Sequence, residues 1–150
     1  MQNLTKPTKS KEIVRSWHLV DANGAILGRT ATMIAESLMG KGKSYFAKNM
    51  DCGDYVVVIN AAMVKVTGNK EKNKIYTRYS GYPGGLHSKR LEEVRESKPT
   101  EIIRHAVSGM LPKNKLREQM LKRLYIYKDT EHPYEDKLKS KNVKLKNEEK

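Results

Sequence analysis

Gly40-Lys41-Gly42-Lys43-Ser44 is the segment whose residue types come nearest to a reactive site. Its ending matches a phosphate-binding loop, where Gly-rich backbone cradles phosphate oxygens while a Lys and a hydroxyl reach the terminal phosphate and its metal. A complete loop needs Gly at position 37, where Ser37 stands. It must also run from a strand into a helix, whereas this segment follows a helical pattern. Lys41 and Lys43 are better read as point charges for phosphate. Other arrangements fail on spacing. Neither Gly24…Gly28 nor Gly81…Gly85 has the dinucleotide spacing GxGxxG. His18, His87, His105 and His132 are scattered and Cys52 has no ligand beside it, so no metal site is expected. Asp51 and Asp54 flank Gly53 just before an apolar run, where turn formation accounts for them. Cys52 reads as a small buried or half-buried thiol.

Charge fills the place that catalysis leaves empty. In 150 residues, 30 Lys and Arg oppose 17 Asp and Glu, a formal net charge of +13. Such an excess favours a polyanionic partner, nucleic acid first and an anionic membrane surface second. One cysteine excludes an intrachain disulfide and fits a reducing compartment. No apolar run approaches the ~20 residues of a membrane span, and the N-terminus lacks the apolar region of a signal peptide. The expectation is a soluble, intracellular protein of one domain.

The elements that must position these charges follow from periodicity. Residues 1–16 read as a basic arm ordered by a partner. Trp17-His18-Leu19-Val20-Asp21 reads as a strand. Leu27, Ala31, Ile34, Ala35 and Leu38 then mark one face of a helix that Gly40 stops. Tyr55 to Asn60 is apolar without alternation, as in a strand covered on both faces. Strand, helix, strand is a βαβ unit. Ile75 to Tyr79 is expected as a third strand of the sheet, residues 80–85 as a Gly-rich loop, and residues 86–96 as a charged helix. Pro99 opens a helix with Ile102, Ile103, Ala106, Val107 and Met110 inward. A tight corner follows at Gly109 to Asn114. Residues 115–123 form a further helix and residues 124–127 the fourth strand. Beyond Pro133 the chain reads as a Lys-rich extension, residues 135–150.

Read in order, Trp17 to Ala22 with Leu27-Gly28-Arg29, Gly40-Lys41, Asp51 to Asn60, Thr67 to Lys70, Lys74-Ile75-Tyr76, Ser80 to Gly85, and Gly109 to Asn114 through to His132-Pro133 resemble the ribosomal protein L13 family of bacterial type. The resemblance spans about residues 14–134. It implies a three-layer α/β/α domain, residues 17–134, around a four-stranded, mainly parallel sheet. It also implies a non-catalytic constituent of the large ribosomal subunit that lies against rRNA and neighbouring ribosomal proteins and joins early in assembly. Some members also repress translation by binding messenger RNA. The chain departs from the family pattern at Ala47-Lys48-Asn49, at Leu116-Arg117-Glu118, and after Pro133.

Charge and family position together select the expected RNA contacts. They are Lys6, Lys9, Lys11 and Arg15 in the arm; Arg29, Lys41 and Lys43; Lys70, Lys74 and Arg78; and Lys113, Lys115, Arg117 and Arg123. Arg29 opens a helix against its dipole, tolerable if it meets phosphate or a local acid. Tyr82 is placed to stack on a base or pack on a sugar, and Gly84 and Gly85 permit close backbone approach. No cofactor, metal, membrane or homo-oligomer is expected. The rival readings are a free messenger-RNA regulator and a nucleotide-dependent α/β enzyme.

Overall fold

A computed structural model describes residues 8–139. The chain runs β1 (Trp17–Asp21), α1 (Leu27–Met39), β2 (Tyr55–Ile59), α2 (Lys70–Asn73), β3 (Ile75–Tyr79), β4 (Leu86–Arg90), α3 (Leu91–Ser97), α4 (Pro99–Met110), α5 (Arg117–Lys122), β5 (Leu124–Ile126) and α6 (Glu135–Lys139). The α/β class and the βαβ opening are as expected. β1 and β5 pair in parallel with opposite edges of β2, Leu19 lying beside Val57 and Val57 beside Tyr125.

The expected four-stranded sheet is corrected to three strands. Segment 75–79 joins no edge of it; it pairs antiparallel with 86–90, Thr77 opposite Ser88. Both edges of β2 are already taken. A six-residue loop brings the next extended segment beside β3 at little entropic cost. Segment 86–90 is therefore a strand rather than the start of a helix, and the charged helix begins at Leu91.

Side-chain alternation splits the parallel sheet into two unlike faces. Val20, Val56, Val58 and Leu124 meet Ala31, Ile34, Leu38, Ile103 and Val107 in the main core, all buried. α1 and α4 form this layer because each carries an apolar stripe at helical spacing. Met110, expected inward, is instead exposed at the end of α4. The opposite face is aromatic. Trp17 stacks on Tyr55 with centroids 4.4 Å apart, and Tyr134 lies over Trp17 and Tyr125 at 5.1 and 4.6 Å. Burial raises the phenol pKa values of Tyr125 and Tyr127. Lys137 of α6 stands 5.0 Å over the Trp17 ring. The start of the C-terminal extension is thus packed on the sheet, by rings that an aliphatic periodicity search passes over.

Candidate nucleic-acid interface

The polar turn after α1 is built around close backbone approach. Gly40 ends the helix in the left-handed region at φ 74°. A Cβ on Gly53 would lie 1.6 Å from the Leu38 carbonyl oxygen, so the strand of chain entering β2 passes directly under the end of α1. Arg123, from the end of α5, enters this contact. It is 7% exposed. Its guanidinium grips both carboxylate oxygens of Asp51 and donates to the Leu38 carbonyl at 3.2 Å. A cation there also complements the negative end of α1's dipole.

The same turn anchors the N-terminal arm. Arg15 donates to the carbonyls of Gly53 and Asp51 at 2.6 and 3.1 Å. Lys43 Nζ reaches the Val14 and Cys52 carbonyls, each at 2.8 Å, and the Asp54 carboxylate at 2.5 Å. His18 Nε2 lies 3.0 Å from the other Asp54 oxygen, and the Ser16 amide donates to Asp54 at 2.8 Å. Burial pushes the Asp54 pKa upward, but the bonds from His18, Lys43 and Ser16 and the Lys43 charge outweigh it, holding the carboxyl below its ordinary value. Thr8 Oγ1 donates to the Tyr45 carbonyl at 2.8 Å. Residues 8–16 are therefore stitched to the body, where the sequence suggests an arm waiting for a partner. Lys43, the residue that a nucleotide loop would aim at a phosphate, is turned into the protein. A cleft of about 360 Å³ opens beside it, lined by His18, Met33, Glu36, Ser37 and Lys43 among others.

Arg117 is likewise engaged internally: its guanidinium donates to the Ser108 carbonyl at 2.6 Å and to the Ser108 hydroxyl at 2.7 Å. The pair staples the corner between α4 and α5, so Lys113, Asn114 and Lys115 are held at the surface.

The remaining expected cations among the described residues are exposed. Lys9 precedes and Lys11 lies within a short 3-10 turn at Ser10–Glu12, Arg29 is on the first turn of α1, and Lys41 just past its end. Arg29 makes no ion pair among the described residues. Lys6 lies outside the described residues. Lys70, Lys74 and Arg78 line the approach to the β3–β4 ribbon and its first strand, with Lys74 5.7 Å over the Tyr76 ring. Tyr82, at the ribbon tip, is 75% exposed. Gly84, at φ 74°, is open to solvent. Gly85 has a different reason for its type. A Cβ there would meet the Ser80 hydroxyl at 1.9 Å, and its amide donates to the Tyr82 carbonyl at 2.9 Å. Its missing side chain closes the loop.

His87, Lys89 and Arg90, exposed on β4, are not among the contacts expected from the sequence. Their signal was the alternation Leu86-His87-Ser88-Lys89 directly after Gly84-Gly85. Asp51 and Asp54, expected only to form a turn, are anchors for the arm and for Arg123. The pattern that would have found them is acids and cations that converge only in space.

The family model for ribosomal protein L13 matches residues 15–133. The large ribosomal subunit protein uL13 of Dehalococcoides mccartyi is 49% identical over 130 residues, covering 87% of this chain and 91% of the relative. The protein of that name in Geobacter sulfurreducens is 50% identical over 131 residues, 87% and 92% of the two chains. That in Solibacter usitatus is 51% identical over 128 residues, 85% and 89%. At this identity and coverage, the chain belongs to the ribosomal protein L13 family.

Proposed function

We propose that this chain is a structural constituent of the large ribosomal subunit in the cytoplasm, binding rRNA and supporting early assembly. The observation that carries the reading is family membership across nearly the whole described body. The charge distribution deepens it. Lys9, Lys11, Arg29, Lys41, Lys70, Lys74, Arg78, Lys113 and Lys115 stand exposed, so they are free to neutralise phosphates and release counterions. Arg15, Lys43, Arg117 and Arg123 serve the same interface indirectly, by holding the arm, the turn and the corner that present the exposed cations. Tyr82 and Gly84 offer a ring and an open backbone at the ribbon tip.

The domain spans residues 17–134, and its layering is α/β/α. Support comes from α1 and α4 on one sheet face and Tyr134 with α6 on the other. No chemistry is assigned to His18, Lys43 and Asp54, which are bonded to one another or to the arm.

Sedimentation of a lysate through sucrose at low and high salt tests this reading. An integral component stays with large subunits at both. A pool lying free of ribosomes at low salt would overturn it in favour of a soluble regulator.

A further inference from the structure

The β3–β4 ribbon segregates its side chains across the pleat. Directly paired residues share a face. One face therefore carries Ile75 with Arg90, Thr77 with Ser88, and Tyr79 with Leu86. The other carries Tyr76 with Lys89 and Arg78 with His87. The second face meets the body through Tyr76, which packs against the cluster of Leu91, Val94 and Ile102 and lies 5.4 Å from the His105 ring, while Arg78, His87 and Lys89 beyond it are exposed. The first face looks away. On it Ile75 is 54% exposed, Tyr79 64% and Leu86 65%.

A two-stranded ribbon alone is at best marginally stable in water, and this one leaves Ile75, Tyr79 and Leu86 uncovered on one face. Large apolar residues gathered on one exposed face mark an interaction surface. We infer that this outward face docks a second protein of the large subunit, one that presents an apolar patch edged by a carboxylate to meet Arg90. This rests on the chain's place in the large subunit, not on which cations touch RNA. Charge complementarity decides the occupant. The groups suited to phosphate, Arg78, His87 and Lys89, lie exposed on the Tyr76 face, whereas the first face holds one cation among six side chains. Phosphates and ribose hydroxyls gain little from Ile75 and Leu86, and a neighbour's apolar side chains gain from both. The face is about 16 Å long at ~3.3 Å per residue. Two strands wide, it covers on the order of 160 Å², well short of the ~800 Å² per partner of a stable binary interface, so the contact belongs to the assembled particle.

Leu86 and His87 are adjacent in sequence and point to opposite faces, which makes the test direct. The full chain carries Leu86→p-benzoylphenylalanine or, separately, His87→p-benzoylphenylalanine, and purified large subunits are irradiated. The Leu86 probe is expected to join mainly to an apolar segment of one other ribosomal protein, identified by mass spectrometry, and the His87 probe mainly to rRNA. A Leu86 probe that joins mainly to rRNA, or to no protein from within the particle, overturns the proposal. The double variant Ile75→Ser/Leu86→Ser gives a second reading that needs no bulky probe. Its occupancy in large subunits should fall severalfold by the same factor at low and high salt, since no counterions are released at an apolar contact. Unchanged occupancy, or a loss confined to high salt, counts against the docking face. Absence of the unaltered chain from large subunits would instead overturn the function on which the proposal stands.

Discussion

Two cationic regions of this molecule use their charge in opposite ways. In the turn under α1, Arg15, Lys43 and Arg123 converge on Asp51, Asp54 and six backbone carbonyls. In the β3–β4 ribbon, Arg78, Lys89 and Arg90 project into solvent. The difference is the company of carboxylates. Asp51 and Asp54 enter the body with the strand, and each buried charge must find a partner. The ribbon has no acid within it, so its cations stay outside. Basic residues of equal sequence weight thus become internal struts in one place and an outward field in the other.

Removing Arg123 should break the comparison most sharply. Arg123→Met leaves Asp51 short of its principal partner in the interior, and the loss is expected to reach about 3–5 kcal/mol in urea unfolding. Arg78→Ala in the ribbon should stay within about 0.5 kcal/mol on the same measurement. Equal losses would mean that the two regions are not distinct.

Next come the glycines. Gly53→Ala drives a Cβ into the Leu38 carbonyl, and neither group is the end of a flexible side chain. A cost of about 1–3 kcal/mol is expected from overpacking. Gly84→Ala meets open space and bears only the left-handed penalty, roughly 1–2 kcal/mol. It should fall mainly on the ribbon, read by hydrogen exchange of residues 75–90 against the sheet.

Acid provides a subtler separation. The Asp54 pKa is lowered in the folded protein, so its contribution is fully present above the unfolded value of ~3.9. It is lost as pH falls through the lower folded value. Proteolysis at Lys9 and Lys11 should therefore quicken at acid pH, and Asp54→Asn should quicken it at neutral pH and remove that step. Cleavage at the ribbon should not respond to Asp54→Asn. The smallest effect on stability belongs to Lys113→Ala/Lys115→Ala, within about 0.5 kcal/mol. There the readout is release from large subunits at lower salt, with a salt slope reduced by roughly one to two.

Much of the fold was legible in the residues. The spacing of Leu27 to Leu38 and the stop at Gly40 marked α1 because a helical stripe and a left-handed terminator are local properties. Val56 to Val58, continuous and apolar, marked a strand buried on both faces. The partner of β3 was not legible, since Ile75 to Tyr79 satisfies the pattern of a sheet strand and of a ribbon equally well. Nor was the aromatic packing of Tyr134, because Trp17, Tyr55, Tyr125 and Tyr134 stack from four separate segments. For the interface, the excess of cations was plain and their division was not. Arg117 and Arg123 look like surface residues in sequence, and only the distances to Ser108 and Asp51 place them inside.

By itself the sequence determined the family, the parallel βαβ core and a net charge of +13 that calls for a polyanion. These depend on local periodicity and on sums over the chain, which need no coordinates. The tertiary structure decided which cations are spent on the protein's own acids and carbonyls and which are left for a partner. That choice is set by burial: a carboxylate drawn under a helix end recruits whichever cation the fold delivers, however distant in sequence.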